Sequence, residues 1–413
     1  MKKILFTFVF LLASIAASAA YDTKIDGIFY NINPIERVAI VTRGEVNYKG
    51  DITIPSTIIY DGEEYAVAEI NGDAFRDCMN VVSLTIPNSV TKIADDAFWG
   101  CISLRKLVLP DNMEKLPEGM CAFCSQLTDV TLPSHLRTLS RAAFSQCTSL
   151  SSITLPEDLI EIGSSAFSNC VSLTSIVIPH HVSYIYDWAF HDCTNLVSVR
   201  LSDNLKNIPN SCFASCLKLS EIDLPEGIGV IGKDAFANCE SLTHLTIPNS
   251  VPYIENGAFA GSGIITVDIP PSVTRIEDHS FEGCSQLQTV IISNNTCNIG
   301  YHAFYNNQNL KDVYVFSEQP PGSCDLNAFE YPYIRHVTLH VPASAIEAYR
   351  SYSPWLKFGS IVPIETGIEE IDNGKMTVDN ANDGWFTIDG QKLSENPNKQ
   401  GVYINKGKVV VIK

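Results

Sequence analysis

The stretch Leu150-Ser151-Ser152-Ile153-Thr154-Leu155-Pro156 returns 23 residues later as Leu173-Thr174-Ser175-Ile176-Val177-Ile178-Pro179. Outward from this pair, the same frame is met at Leu104/Leu107/Leu109-Pro110, Leu127/Val130/Leu132-Pro133, Leu219/Ile222/Leu224-Pro225 and Leu242/Leu245/Ile247-Pro248. Between frames stands a second signature, Ala-Phe-x-x-Cys, as in Ala97-Phe98 to Cys101, Ala143-Phe144 to Cys147, Ala166-Phe167 to Cys170 and Ala235-Phe236 to Cys239. Alternating apolar residues specify a strand whose successive side chains face opposite ways. A strand recurring at a fixed period of this size specifies a solenoid, because no unit can bury its apolar side alone and neighbours must stack. Such an array presents a long surface instead of enclosing a pocket.

Phenylalanine marks the rungs, at Phe75, Phe98, Phe144, Phe167, Phe190, Phe213, Phe236, Phe259, Phe281, Phe304 and Phe329, with Cys121 in the one slot left over. That makes twelve rungs, spaced by 23 residues except for one step of 22 and one of 25. The predicted fold class is therefore mostly β, a leucine-rich-repeat solenoid of about twelve 23-residue rungs, with a small C-terminal β module. Parallel strands about 4.8 Å apart would give the stack a length of roughly 55 Å. Apolar doublets after each proline, such as Leu159/Ile162, Val182/Ile185 and Val251/Ile254, predict a second short strand on another wall. The prolines close each first strand, where a missing N–H does no harm. Asn88-Ser89, Glu157-Asp158 and Asn249-Ser250 then supply turn residues.

The full consensus, L-x-x-L-x-L-P-x-x-L-x-x-I-x-x-x-A-F-x-x-C, resembles the BspA-like leucine-rich repeats of bacterial surface proteins over roughly residues 50–342. Ile52-Thr53-Ile54-Pro55 is a degenerate copy, followed by an insertion from Ser56 to Glu64. Departures are local: Met120-Cys121 replaces Ala-Phe, Ser262 and Asn307 replace the cysteine, and Ser202 and Ser293 replace the proline. The resemblance implies a bacterial adhesin, a non-enzymatic protein that recognises host or other cell-surface proteins and uses no cofactor. Two other classes stay open. One is a structural envelope scaffold that self-associates; the other is a carbohydrate-binding accessory protein, which the scarcity of aromatics on the predicted face counts against.

Residues 1–20 carry Lys2-Lys3, an apolar run from Ile4 to Ala17 and small residues around Ala17-Ser18-Ala19-Ala20, the pattern of a secretory signal peptide. Its apolar run is too short for a stable membrane span, and no other stretch is long enough to predict one. The remaining organisation reads as an N-terminal capping segment over 21–72, the solenoid over 73–342 and a C-terminal cap and linker over 343–364. A capping helix is expected from Ala343 to Tyr352, because an uncapped solenoid exposes its core. Residues 365–413 read as a small β module from Trp385-Phe386-Thr387-Ile388, Gly401 to Ile404 and Lys408 to Ile412. This module resembles C-terminal β modules of exported proteins of anaerobes, some of which direct secretion or attachment. The expected location is extracellular or the outer cell surface. Removing Lys2 and Lys3 takes the formal charge from −18 to −20. So acidic a chain argues against nucleic acid and anionic membrane as partners.

Nine of the 13 cysteines share one repeat position: Cys78, Cys101, Cys124, Cys147, Cys170, Cys193, Cys216, Cys239 and Cys284. Parallel side chains about 4.8 Å apart are poorly placed for a bond that wants its Cβ atoms nearer about 3.8 Å, so a ladder of buried thiols is expected. Cys121 and Cys124 imitate half a zinc site but have no second ligand pair at matching spacing. His336 and His340, four apart on an expected strand, share one face but lack a third ligand. With no nucleophile, metal-protease or phosphate-loop motif in the chain, neither a catalytic nor a metal site is assigned.

Contact is expected from the residues between the buried strand positions. The middle column reads Thr85, Val108, Thr131, Thr154, Val177, Arg200, Asp223, Thr246, Asp268, Ile291, Tyr314 and Thr338. The column beside it runs from Ser83 and Lys106 through Glu221 and His244 to Asp312 and His336. Early rungs carry Ser and Thr, which strand propensity alone would place there. The later stretch Arg200, Glu221, Asp223, His244, Asp268 and Tyr314 is less easily explained by propensity and is the predicted contact patch. Its partner would be an extracellular or host surface protein, or a glycan.

Overall fold

Most L-x-L segments form parallel strands, each paired to one a rung away, in three runs separated at residues 151–156 and 242–248, which lie outside any strand. A computed structural model describes residues 21–293, 297–321, 323–329, 334–364, 385–387, 393, 401–405 and 408–412. The expected signal peptide lies outside them. On the first wall, Lys49–Thr53 pairs with Asn80–Thr85, which pairs with Lys106–Val108 and then Asp129–Thr131. Ser175–Val177, Ser198–Arg200 and Glu221–Ile222 form a second run, and Thr266–Ile269 opens a third through Thr289–Ile292, Asp312–Val315 and Thr338–Val341. The buried residues stay in file: Ile176, Val199 and Ile222 in one run, then Val267, Val290, Val313 and Leu339 in the next.

The apolar doublets make the expected second wall. Lys115–Leu116 to Tyr184–Ile185 is one parallel row of two-residue strands, and Asn207–Ile208 to Asn298–Ile299 is another. The first wall connects to it through a tight turn. The Pro156 carbonyl accepts from Leu159 N–H at 3.1 Å and Pro179 from Val182 at 3.0 Å. Ser202, standing where proline is usual, accepts from Leu205 at 3.2 Å and keeps the same turn.

A third side of the coil is the Ala-Phe-x-x-Cys segment. Phe144 N–H donates to the Ala166 carbonyl at 2.8 Å, Phe167 to Ala189 at 2.8 Å and Phe213 to Ala235 at 2.9 Å, so this segment is laddered as well. Two residues in each such segment from Phe98 to Phe304 turn left-handed. One precedes the Ala position, as at Ala142, Ser165 and Trp188, with φ of 55°, 55° and 59°. The other precedes Cys, as at Gln146, Asn169 and Asp192, with φ of 63°, 60° and 57°. Glycine takes the place at Gly100, Gly119, Gly257, Gly261 and Gly283, where positive φ has no steric cost.

Inside the coil the phenyl rings form a file. From Phe144 to Phe329 consecutive rings stack with centroids 5.0 to 5.6 Å apart and planes within 13°. Each offset-stacked pair adds about 0.5–1.5 kcal/mol beyond the area it buries. The file is capped by aromatics at both ends. Tyr48 lies 4.5 Å from Phe75, and Trp355 lies 5.5 Å from Phe329, centroid to centroid. Met120 and Cys121, both fully buried, fill the rung that lacks the ring.

The ends carry the non-repeating structure. At the start, Thr23–Ile25, Ile28–Asn33 and Val38–Val41 are antiparallel, and Val38–Val41 then pairs in parallel with Glu63–Ile70. Thr57–Tyr60 and Glu63–Ile70 form the hairpin of the insertion. At the far end a helix spans Ile346–Ser351, within the stretch expected to be helical. Ser360–Pro363 then adds one more parallel strand beside Thr338–Val341, where a linker was expected. Trp385–Thr387, Gly401–Asn405 and Lys408–Ile412 make a separate antiparallel sheet.

Candidate functional site

The outward column of the first wall divides into an exposed part and a covered part. Arg200, Glu221, Asp223 and His244 are exposed. Val177 stands beside Arg200, and Ser198 beside Glu221, in strand register. The side chains of these four polar residues make no hydrogen bond or ion pair among the described residues. In the early rungs, by contrast, Lys106 and Asp129 pair across the wall at 3.3 Å.

Asp268 and Tyr314 behave differently. Both were expected to be exposed, and both are half-buried. Ile291, which lies between them in register, is fully buried although it occupies the outward column. Burial pushes the Asp268 carboxyl up to about 6, against a contact from Ser293 Oγ to Oδ1 at 3.4 Å. Tyr314 stacks on His340, centroids 4.2 Å apart. That neighbour corrects the register expected for the last rung: His340, not Thr338, stands opposite Tyr314. His336 lies in a short 3-10 turn, Ile334–His336, so His336 and His340 do not share a strand. His340 Nε2 instead meets Asp312 Oδ1 at 2.8 Å.

Two groupings fall outside the predicted patch. Tyr184, Tyr186 and Trp188 are exposed on the second wall and the corner that follows it, with Ile185 buried between the tyrosines. Residues two apart on a strand point the same way, with about 6.7 Å between them. The other grouping is His279, Glu282 and His302. His279 and His302 are 23 residues apart at one repeat position, which is the signal that would have found them. No helix among the described residues is long and apolar enough to cross a membrane.

The chain matches the family described as BspA type leucine rich repeat region over residues 51–170, 116–228 and 206–333. It is similar to a leucine-rich repeat protein from Bacteroides ovatus, known from a crystal structure, at 27% identity and a TM-score of 0.61, covering 83% of this chain and 89% of that chain. A leucine rich cell surface protein from Faecalibacterium prausnitzii is 24% identical over 70% of this chain and 93% of that chain, with a TM-score of 0.46. The T. pallidum Leucine Rich Repeat protein is 30% identical over 54% of this chain and 90% of that chain, with a TM-score of 0.39. No curated protein matches the chain.

Proposed function

Because the chain belongs to the BspA-type leucine-rich-repeat family, we propose that it is an exported recognition protein that adheres to a protein on a host or another cell. One observation carries the assignment of the contact surface. Arg200, Glu221, Asp223 and His244 hold two signs of charge on adjacent rungs, exposed and uncommitted. A rigid wall with charges in fixed register selects a partner by charge complementarity, which acts on association and specificity. Multipoint contact along stacked rungs is the way repeat arrays bind. No nucleophile, base or enclosed pocket is needed, and the protein acts without catalysis or cofactor.

A second reading draws on Tyr184, Tyr186 and Trp188. Exposed rings in a row provide apolar faces on which a sugar can lie, so a glycan contact on the second wall is the alternative. The test is a binding panel of matrix proteins, mucins and glycans presented to the full chain. One saturable protein ligand supports the first reading; glycan binding lost in Trp188→Ala supports the second. Self-association alone would overturn both in favour of an envelope scaffold.

A further inference from the structure

We propose that His279, Glu282 and His302 bind a divalent ion of the zinc type. One donor atom from each of the three side chains lies within 4.8 Å of the other two. The repeat itself brings them together. His279 and His302 take the same left-handed corner on consecutive rungs, with φ of 60° and 54°. The His279 N–H donates to the Tyr301 carbonyl at 2.9 Å, which fixes the two corners side by side. Their ring centroids are 5.5 Å apart and their planes stand at 89°. Glu282 comes from the same turn as His279. Its N–H donates to the His279 carbonyl at 3.0 Å, and its carboxylate already touches His279 Nδ1.

Two features make this more than three polar groups on a surface. The His302 ring is held between Tyr301 and Tyr305, stacked at 3.7 and 4.0 Å, so its plane is set before any ion arrives. A ligand fixed in this way loses less freedom on binding. The nearby Asp278 is engaged elsewhere, its Oδ1 accepting from Tyr301 N–H at 2.8 Å. The donor set that remains is two imidazoles and one carboxylate.

That set chooses the ion. Imidazole suits zinc, copper and nickel, while calcium and magnesium ask for oxygen ligands throughout. Zinc bonds to nitrogen and carboxylate oxygen are about 2.0–2.2 Å, so neighbouring ligands of a tetrahedral ion sit roughly 3.4 Å apart. The His279–Glu282 pair is closer than that and opens as the ion replaces the proton the two atoms share. His302 must close by about 1.5 Å at most, a distance its ring can cover by sliding in its own plane between the two tyrosine faces. Three protein ligands leave one position open to water or to a donor from outside the chain.

Zinc chloride titrated into the full chain by calorimetry, with equilibrium dialysis as a second measure, tests the site. One saturable ion per chain is expected. It should be lost in His302→Ala and weakened roughly tenfold or more in Glu282→Gln, the scale on which changes around a metal act. Without zinc, His302→Ala should melt with the parent. With zinc, the parent's melting temperature should rise and the variant's should not, since only a folded-state ligand stabilises. Absence of saturable binding by the parent, or a site that survives in the His279→Ala/His302→Ala double variant, would overturn the proposal.

Discussion

The thiol of Cys193 donates to the carbonyl oxygen of Phe167, 3.2 Å away and one rung earlier. The same bond recurs from Cys170 to Phe144 at 3.2 Å, from Cys216 to Phe190 at 3.2 Å and from Cys239 to Phe213 at 3.1 Å. Where Asn307 replaces the cysteine, its amide nitrogen takes the equivalent acceptor, the Phe281 carbonyl, at 3.0 Å. The position therefore calls for a small buried donor, not for a disulfide partner, and all thirteen cysteines are free.

Alkylation should show this directly. Burial pushes the Cys170 and Cys239 thiols up to about 12 and Cys284 up to about 11, so little thiolate exists at pH 8. Native protein at that pH should resist iodoacetamide at the ladder positions. Protein denatured without reductant should be alkylated at all thirteen, read as a mass shift. Several intact disulfides in that second sample would contradict the ladder.

Phe167 is fully buried, with ring neighbours on both sides at 5.6 and 5.4 Å. Phe167→Ala removes two stacked contacts and leaves a cavity, at a cost of about 3–5 kcal/mol. Urea denaturation followed by circular dichroism measures it. A loss under about 1 kcal/mol would mean that the rungs close around the gap, contrary to the near-crystalline packing of protein cores.

Asp268 gives a pH signature. Its carboxyl moves from an ordinary 3.8 up to about 6 in the folded chain, through burial. The folded state therefore holds this proton where the unfolded state has released it, and stability falls as pH rises between about 4 and 6. Asp268→Asn removes that penalty. The variant should gain up to about 2–3 kcal/mol at pH 8 and almost nothing at pH 4. Melting curves at both values decide. An equal gain at the two would assign the effect to packing.

Reversing charge on the exposed part of the wall should leave folding alone. Glu221→Lys with Asp223→Lys alters surface positions, which usually changes stability by under about 0.5 kcal/mol. Association with a protein ligand and its salt dependence should both change. Unaltered binding by a correctly folded double variant would place the contact surface elsewhere on the chain.

The repeat frame was readable because its apolar positions recur so regularly that both walls and the phenyl file follow from periodicity. Residues whose surroundings come from outside their own rung were not. Ile291 occupies an outward slot by pattern, yet it is buried. His340 displaced Thr338 because Tyr314 and His340 are 26 residues apart, three more than the frame: two extra residues fall between Phe304 and Phe329 and one more between Phe329 and the strand. The strand Ser360–Pro363 lies beyond a helical insertion and lacks the L-x-L-P signature. Of the proposed contact patch, the exposure of Arg200, Glu221, Asp223 and His244 follows from simple alternation. The half-burial of Asp268 and Tyr314 does not, since alternation says which wall a residue faces and nothing about what lies over it.

The left-handed corners carry a consequence for heat tolerance. A residue with a Cβ in that conformation costs roughly 1–2 kcal/mol that glycine does not. Ala142, Gln146 and Trp188 all sit there, while Gly100 and Gly257 occupy equivalent corners. Stability is thus left unclaimed at several corners of the coil, and glycine at Ala142 or Gln146 would recover part of it. Trp188 is the instructive exception. Its ring is half exposed, so it contributes little to the core in return for its backbone. An array trimmed for endurance would discard that tryptophan first, and with it one of the few large aromatic faces this protein turns outward.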